Sequence, residues 1–378
     1  MKKGIYLLLV SVLVFSLVLG IFGCTSQPAQ PTAKPTPATT QPAAPTTKPA
    51  PATTAPPATT AAPATTYNFK FAGYYPPGSP QAQTGDEYFM KRLEELGKGR
   101  IKWQYFPSEQ LGKGTEQVSI IGGGTAEFGA LVPAFFTGKI PLLGSQDLPF
   151  LFSTDVAGHI RIAGALLHQP EITDAFAKEK VKIVSAASFG TMSAFFKKPL
   201  KTMEDWKGRK VRTAGKMQSD TIAALGATPQ SLLSAEVYMA LSTGVLDGSL
   251  WHPLSALEYK LYEVAKYAVI PYISISGYTT AQIMSLDFYN KLPKDVQDMI
   301  NQAGLDTEKY AEKAFLEQEK TAIEDLAKKG VDVYMVPQQE TLRWREASKP
   351  LWNDWLKANG APGQKLLDFV LKELGEKK

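Results

Sequence analysis

Hydrophobic and polar positions after residue 66 alternate between the period of a β-strand and the period of an α-helix. Segments 67–71 and 100–106 place apolar residues at every second position, which predicts two strands. Between them, Phe89, Leu93 and Leu96 follow the i, i+4, i+7 spacing of one helical face. The chain after residue 66 therefore begins with a strand, a helix and a second strand.

The same alternation continues through the middle of the chain. Further helical patterns lie near 113–121, 155–168, 216–225 and 234–243, and further strand patterns lie near 126–132, 180–187, 208–213 and 245–250. Strands that alternate with helices are typical of α/β folds. We therefore expect an α/β fold with largely parallel sheets.

The end of the chain is mostly helical. A helical pattern starts after Leu292-Pro293, continues to Lys329 and ends at Gly330. At about 1.5 Å per residue this helix would be about 54 Å long, which exceeds one small domain. It either breaks at Gly304 or bridges two lobes. A strand at 331–336 and two more helices complete the chain. The length of the chain after residue 66 suggests two lobes.

The first 66 residues predict export and attachment to a membrane. Lys2 and Lys3 precede an apolar run, and the run ends at Ile21-Phe22-Gly23-Cys24, which resembles a bacterial lipobox. Cys24 is the expected site of lipid attachment, and an uncleaved transmembrane helix is the alternative. Residues 25–66 contain 11 Pro, 13 Thr and 12 Ala, a composition that predicts a disordered tether.

Charge and composition exclude several classes of protein. Residues 1–66 contain four Lys and no acidic residue, so the remainder holds 37 basic and 36 acidic residues. A body this close to neutral has no broad surface for neutralising phosphates, and we expect no nucleic acid partner. One Cys rules out a disulfide framework and a multi-cysteine metal site, and three His leave little for a histidine-rich metal centre. We predict no metal and no cofactor.

Signatures of catalysis are missing from the sequence. The chain contains no GxSxG, HExxH, phosphate-binding loop or kinase motif. The glycines at 122–124 follow a helical segment, so they fit the end of a helix better than a nucleotide-binding loop. We predict that the protein is not an enzyme.

Several short motifs together resemble the DctP-type solute-binding proteins of tripartite ATP-independent periplasmic (TRAP) transporters. The resemblance covers residues 67 to about 345, and no single motif carries it. The segments that carry it are Pro77-Gly78-Ser79-Pro80, Leu148-Pro149-Phe150-Leu151-Phe152, Trp206-Lys207-Gly208-Arg209-Lys210-Val211-Arg212, Glu236-Val237-Tyr238-Met239-Ala240-Leu241, Asp247-Gly248 and Leu292-Pro293.

The resemblance implies a two-lobed periplasmic-binding-protein-like α/β fold with a central cleft and a long lobe-spanning helix. It implies a small organic acid as ligand, TRAP membrane permease subunits as partners, and an extracytoplasmic location. The expected parts are a lipoprotein signal peptide at 1–23, a lipid-anchored tether at 24–66, the first part of lobe I at 67–189, the first part of lobe II at 190–277, a return to lobe I with the spanning helix at 278–317, and lobe II with C-terminal helices at 318–378.

Arg212 is the strongest candidate for a ligand-binding residue. It follows Val211 at the end of a predicted strand, where the resemblance places an arginine that clamps the substrate. Independently of the resemblance, a guanidinium offers a planar pair of donors that matches a carboxylate. The resemblance also places a second arginine near Met192, and that cation is absent here. The other candidate ligand-binding residues are Tyr74, Tyr75, Met192, Phe196, Ser234, Trp251 and His252.

The absence of a second cation favours a ligand with one carboxylate, because a buried carboxylate without a cation is unfavourable. We therefore expect a monocarboxylate with an apolar or aromatic body, around which Trp251, Phe196 and Tyr74 or Tyr75 pack. A different class of function stays open, namely a tethered ligand-sensing protein for a kinase or a chemoreceptor.

Overall fold

The computed structural model describes residues 65–152, 156–270 and 279–375. The predictions for the signal peptide, for Cys24 and for most of the tether lie outside these residues. The strands are β1 (Tyr67–Ala72), β2 (Ile101–Phe106), β3 (Phe128–Leu131), β4 (Val181–Ser188), β5 (Ser193–Phe196), β6 (Lys210–Thr213), β7 (Thr228–Ser231), β8 (Gly248–Trp251), β9 (Tyr267–Ile270), β10 (Thr279–Ser285) and β11 (Asp332–Met335).

The α-helices alternate with these strands, as the hydrophobic periodicity predicts. They are α1 (Glu87–Gly97), α2 (Gln117–Gly122), α3 (Val156–Leu167), α4 (Pro170–Lys178), α5 (Lys216–Ala224), α6 (Ser234–Thr243), α7 (Pro253–Glu258), α8 (Leu286–Tyr289), α9 (Lys294–Lys328) and α10 (Gln338–Glu373). The glycines at 122–124 end α2 and turn the chain towards β3, as predicted. Within the described residues, no helix is both long enough and apolar enough to cross a membrane.

The strands form two sheets, each of which is the centre of one lobe. The first sheet has the order β2-β1-β3-β10-β4, and the second has the order β11-β9-β5-β8-β6-β7. Strands β1, β2 and β3 are parallel, as are β8, β6 and β7. In such sheets, ligands bind beyond the carboxyl ends of the parallel strands.

The expectation of largely parallel sheets is correct only in part. Strand β10 is antiparallel to both of its neighbours, and β5 is antiparallel to both of its neighbours. The reason for β5 lies in the crossing between the sheets: β4 ends at Ser188 in the first sheet and β5 begins at Ser193 in the second. The chain crosses between the lobes without a helix, so β5 enters the second sheet in the reverse direction.

Helix α9 passes through both lobes without a break. It has 35 residues, which corresponds to about 52 Å. Ile300 packs in the core of the first lobe and Leu326 in the core of the second. The break considered at Gly304 does not occur. Gly304 instead lets the helix lie directly on β4, where an added Cβ would meet the Val184 carbonyl oxygen at 1.9 Å.

The last helix also joins the two lobes. Helix α10 contains a kink at Gly360, so it consists of the two C-terminal helices that the sequence predicts. Trp344 packs in the second-lobe core, whereas Trp352 and Trp355 pack in the first-lobe core. Phe150, from the loop after the first sheet's β3, inserts into the second-lobe core beside Trp344 at 5.9 Å between ring centroids.

Candidate functional site

Arg212 lies near the carboxyl end of β6, on the edge of the second sheet where a ligand is expected. Its strand pairs with β7 and β8, and Arg212 is in register with Gln230 and Ser249. The side chain is only 7% exposed. Its Nε donates to the Leu232 carbonyl oxygen at 3.1 Å, and Nη2 lies 3.5 Å from Ser234 Oγ. The guanidinium is therefore held in one orientation at the start of α6.

The ring of Trp251 packs against the same guanidinium. Trp251 is the last residue of β8, and the Arg212 Cζ atom lies 4.5 Å from the centroid of its ring. The indole is 4% exposed and meets the ring of Tyr259 edge to face at 5.3 Å. A cation over an aromatic face is favourable, and more so when both are shielded from water. The structure thus brings together Arg212, Ser234 and Trp251 from the predicted set.

His252 follows Trp251 but faces the long helix. Its Nε2 lies 3.0 Å from Glu319 Oε2, and the two side chains are 5% and 1% exposed. Gly190 packs against the Nε2 end of the same ring, so closely that an added Cβ would overlap it. The structure thus gives the imidazole a protein partner on α9, next to Trp251 of the candidate site.

Phe196 does not reach the Arg212 side of the sheet, which corrects the sequence-based expectation. It ends β5 and pairs with Gly248, the first residue of β8, so it lies at the opposite end of that strand from Trp251. Its ring is 0% exposed and packs against Trp206 and Arg209. The reversed direction of β5 explains this position, because its amino end faces the cleft.

Met192 lies just before that amino end of β5. It is buried with the second-lobe core residues, at the position where the resemblance expects a second arginine. Its neighbour Ser193 pairs directly with Trp251 across the strands. A thioether therefore stands near the cleft end of the sheet where a cation was expected.

Tyr74 and Tyr75 follow β1 at the carboxyl edge of the first sheet. Their rings pack edge to face at 4.8 Å, and Tyr75 also meets Phe189 at 6.4 Å. Burial raises the pKa of the Tyr75 phenol far above its usual range, and a hydrogen bond with Thr280 opposes this shift. Burial and the charge of Glu109 raise the pKa of Tyr74. Both tyrosines are neutral aromatic surfaces on the first-lobe side.

A buried carboxyl group lies behind these tyrosines. Asp86, immediately before α1, is 0% exposed and accepts a hydrogen bond from Gln282 Nε2 at 2.9 Å. Gln282 in turn accepts a hydrogen bond from Ser185. Burial raises the pKa of Asp86 to about 7, the hydrogen bond from Gln282 lowers it, and the charge of Glu87 raises it.

Two residues near the site escaped the sequence-based prediction. Phe189 lies in the crossing segment after β4 and meets Phe315 of α9 at 5.7 Å. Glu319 offered a signal, because it falls within the buried stripe that includes Phe315 and Ala322. An acidic residue inside an apolar helical stripe indicates a buried polar contact. In the described ranges, no group of three or more His, Cys, Asp or Glu side chains is placed to hold a metal ion.

Comparison with known families gives a match over most of the chain. Residues 71–358 match the family described as bacterial extracellular solute-binding protein, family 7 (DctP). The C4-dicarboxylate-binding periplasmic protein DctP of Rhodobacter capsulatus is 28% identical over 307 residues, which cover 77% of this chain and 87% of the relative. The monocarboxylate 2-oxoacid-binding periplasmic protein of Nostoc is 29% identical over 58% of this chain and 60% of its own length.

Solved structures of TRAP periplasmic solute-binding proteins share the fold. The protein from Ochrobactrum anthropi is 25% identical with a TM-score of 0.74, and the match covers 83% of this chain and 98% of that one. The protein from Desulfovibrio salexigens, solved with bound orotic acid, is 26% identical with a TM-score of 0.65, over 82% of this chain and 99% of that one.

Proposed function

The chain belongs to family 7 of the bacterial extracellular solute-binding proteins, and on that premise we propose that it captures a monocarboxylate with an apolar or aromatic body. Its relatives are the solute-binding components of TRAP transporters and are not enzymes. The resemblance inferred from the sequence, the two-lobed fold and the non-enzymatic role are therefore confirmed. The ligand class is the part that we propose here.

The observation that carries this proposal is the fixed guanidinium of Arg212. Of the arginine and lysine side chains in the described segments, Arg212 alone falls among the buried residues. Two parallel hydrogen bonds from a guanidinium match one carboxylate. A second buried carboxylate would need a second cation, and Met192 stands where one was expected. One buried cation therefore favours one carboxylate.

Two relatives are associated with ligands that carry one carboxylate, and one is named for dicarboxylates. The Nostoc relative is named for monocarboxylate 2-oxoacids, and the Desulfovibrio protein holds orotic acid, a heterocyclic monocarboxylic acid. The Rhodobacter relative is named for C4-dicarboxylates. The names of these relatives leave monocarboxylates and dicarboxylates open. The single buried cation at Arg212 favours monocarboxylates.

Aromatic side chains on the first lobe supply the apolar surface for the ligand body. We assign this role to Tyr74, Tyr75 and Phe189, which follow β1 and β4 at the carboxyl edge of the first sheet. A ligand that touches these rings and Arg212 bridges the two lobes. Such a ligand stabilises a closed form by its extra contacts in that form. In this proposal the angle between the two lobes changes when the closed form is reached. The segment that crosses from β4 to β5 is one place where the backbone bends.

Calorimetric titration tests the ligand class and the role of Arg212. We expect phenylacetate and 4-methylpentanoate to bind more tightly than succinate. Arg212→Ala should weaken binding by roughly 30- to 150-fold, since it removes charged hydrogen bonds of about 2–3 kcal/mol. The affinity of Arg212→Lys should lie between those of the unaltered protein and Arg212→Ala, because a lysine cannot form the paired contact.

Arg209→Ala is the matched control. Arg209 precedes the same strand but donates to the carbonyl oxygens of Asp205 and Pro199 and packs on Phe196, away from the cleft end. Its removal should leave affinity unchanged. Tighter binding of succinate would refute the monocarboxylate proposal, and an unchanged affinity in Arg212→Ala would remove the site assignment.

We also propose that a lipid on Cys24 holds the protein at the outer surface of the cytoplasmic membrane or in the periplasm, close to its permease. The 42 residues of the tether would reach about 130 Å when extended, so the body could meet a permease without being fixed to it. The unaltered chain should incorporate labelled palmitate in growing cells, and the Cys24→Ser chain should not. A membrane-bound unaltered chain without label would favour an uncleaved helix.

A further inference from the structure

Glu319 is the point at which three elements of the fold meet. It lies on α9, its Oε2 is 3.0 Å from His252 Nε2, and its Oε1 accepts a hydrogen bond from Thr191. His252 follows β8, and Thr191 lies in the segment that crosses from β4 to β5. One carboxylate of the spanning helix therefore contacts both the second sheet and the crossing segment.

The packing around this carboxylate leaves little freedom. The Glu319 side chain is 1% exposed, and Gly190 contacts His252 so closely that no Cβ fits between them. Ser188 Oγ donates to the Gly190 carbonyl oxygen at 3.2 Å, and this hydrogen bond also restrains the crossing segment. The hydrogen bond from Thr191 and the 3.0 Å contact with His252 hold the Glu319 carboxylate in this buried position.

The cluster adjoins the residues proposed to bind the ligand. His252 is bonded to Trp251, whose ring lies under the Arg212 guanidinium at 4.5 Å. Ser193, two residues after Thr191, pairs with Trp251 across β5 and β8. A displacement of His252 or of the crossing segment would move the indole, and the guanidinium rests on that indole.

We infer that Glu319 is a positioning residue of the ligand site, which holds His252 and Thr191 together and thereby keeps Trp251 under Arg212. The inference rests on the proposed function for its link to ligand affinity, but not for its link to the position of Trp251. Glu319 makes no contact with the ligand in this scheme. It connects the spanning helix, which both lobes share, with the strand end that presents the cation.

The His168–Glu308 pair supplies a matched control on the same helix. His168 Nε2 lies 2.6 Å from Glu308 Oε1, and Glu308 is on α9 as well. Glu308 precedes Glu319 by about 16 Å of helix. This pair is also a contact between His and Glu, but Glu308 bonds His168, just after α3, and the Ala186 N–H of β4 at 2.9 Å, and neither partner belongs to the β8 end or the crossing segment.

The first experiment uses ligand-free protein and the indole N–H signals of its six tryptophans in a nitrogen–proton correlation spectrum. The Trp251 signal is assigned with Trp251→Phe. Glu319→Ala should shift the Trp251 signal and leave the signals of Trp103 and Trp355 in place, whereas Glu308→Ala should shift none of the three. Thr191→Val, which removes one contact only, should give a smaller shift of the same signal and serves if Glu319→Ala fails to fold.

Rescue separates positioning from a general effect on folding. Glu319→Gln keeps an acceptor for Thr191 and a polar group for His252, so its Trp251 signal should lie close to that of the unaltered protein. An unmoved Trp251 signal in folded Glu319→Ala, or equal shifts in Glu308→Ala, would overturn the inference.

The second experiment measures affinity by calorimetry with phenylacetate as the probe. Glu319→Ala should weaken binding by roughly 3- to 30-fold, the range of coupling through a packed network, and Glu319→Gln should recover most of it. Glu308→Ala should bind normally. If the unaltered protein binds succinate and not phenylacetate, the proposed ligand class fails, while the indole shifts still decide whether Glu319 positions Trp251. An unshifted Trp251 signal in Glu319→Ala, together with phenylacetate binding by the unaltered protein, would overturn the inference about Glu319 and leave the proposed ligand class standing.

Discussion

At the scale of single residues, the two buried side chains Arg212 and Asp86 differ in charge. Arg212 carries a guanidinium, which does not lose its proton in proteins, and carbonyl, hydroxyl and indole groups contact it. Asp86 is buried without a cation, and this burial raises its pKa to about 7. Folding therefore favours the protonated form of Asp86, and this preference makes stability depend on pH.

Asp86→Asn tests that dependence. Because the folded-state pKa lies above the unfolded value near 3.8, the neutral carboxyl stabilises the fold fully below about pH 4, and this contribution is lost as the pH rises through about 7. The full span corresponds to about 4 kcal/mol. Asparagine cannot ionise, so the free energy of unfolding of Asp86→Asn should exceed that of the unaltered protein at about pH 8 and be similar at about pH 4. Urea unfolding at both pH values measures the difference.

Asp306→Asn is a control of the opposite sign. A hydrogen bond from Arg92 at 2.8 Å lowers the pKa of Asp306, so its charged form stabilises the fold above its unfolded pKa and this contribution is lost in acid. Asp306→Asn should be less stable than the unaltered protein at about pH 8. If Asp86→Asn also loses stability there, the raised pKa of Asp86 is incorrect.

Residue identity and local spacing predicted only part of the candidate site. The strand patterns at 208–213 and 245–250 put Arg212 and Trp251 at strand ends, and the resemblance to DctP-type proteins marked both as candidate ligand contacts. Phe196 was misplaced because the direction of β5 depends on the crossing between sheets, which no local pattern encodes. Glu319 was missed because its partners, Thr191 and His252, are distant in sequence.

At the scale of elements, periodicity predicted most helices and strands but not how they assemble. The long helix after Pro293 was expected from its pattern, and the structure places it at Lys294–Lys328. Whether it breaks at Gly304 could not be read from the sequence, since glycine disfavours a helix but also permits close packing. The contact with Val184 decides the question, and that contact exists only once β4 and α9 are side by side.

At the scale of the whole molecule, the lobes are linked by packing as well as by the chain. Phe150 leaves the first lobe and packs with Trp344 in the second, and Arg345 Nε donates to the Phe150 carbonyl oxygen at 2.7 Å. Phe150 holds a φ of 54°, which is unusual for a bulky residue and is kept in place by this packing. Helix α10 then continues to Trp352 in the first-lobe core.

Phe150→Ala tests whether this contact restrains the lobes, with Phe176→Ala as its control. Both phenylalanines are fully buried, but Phe176 lies on α4 within the first-lobe core. Each substitution should lower the free energy of unfolding by about 3–5 kcal/mol, because it removes a buried ring and leaves a cavity. Only Phe150→Ala loses a contact between lobes, so only this variant should show an increased radius of gyration in X-ray scattering from ligand-free, folded protein. An equal increase in Phe176→Ala, or none in Phe150→Ala, would show that the restraint lies elsewhere.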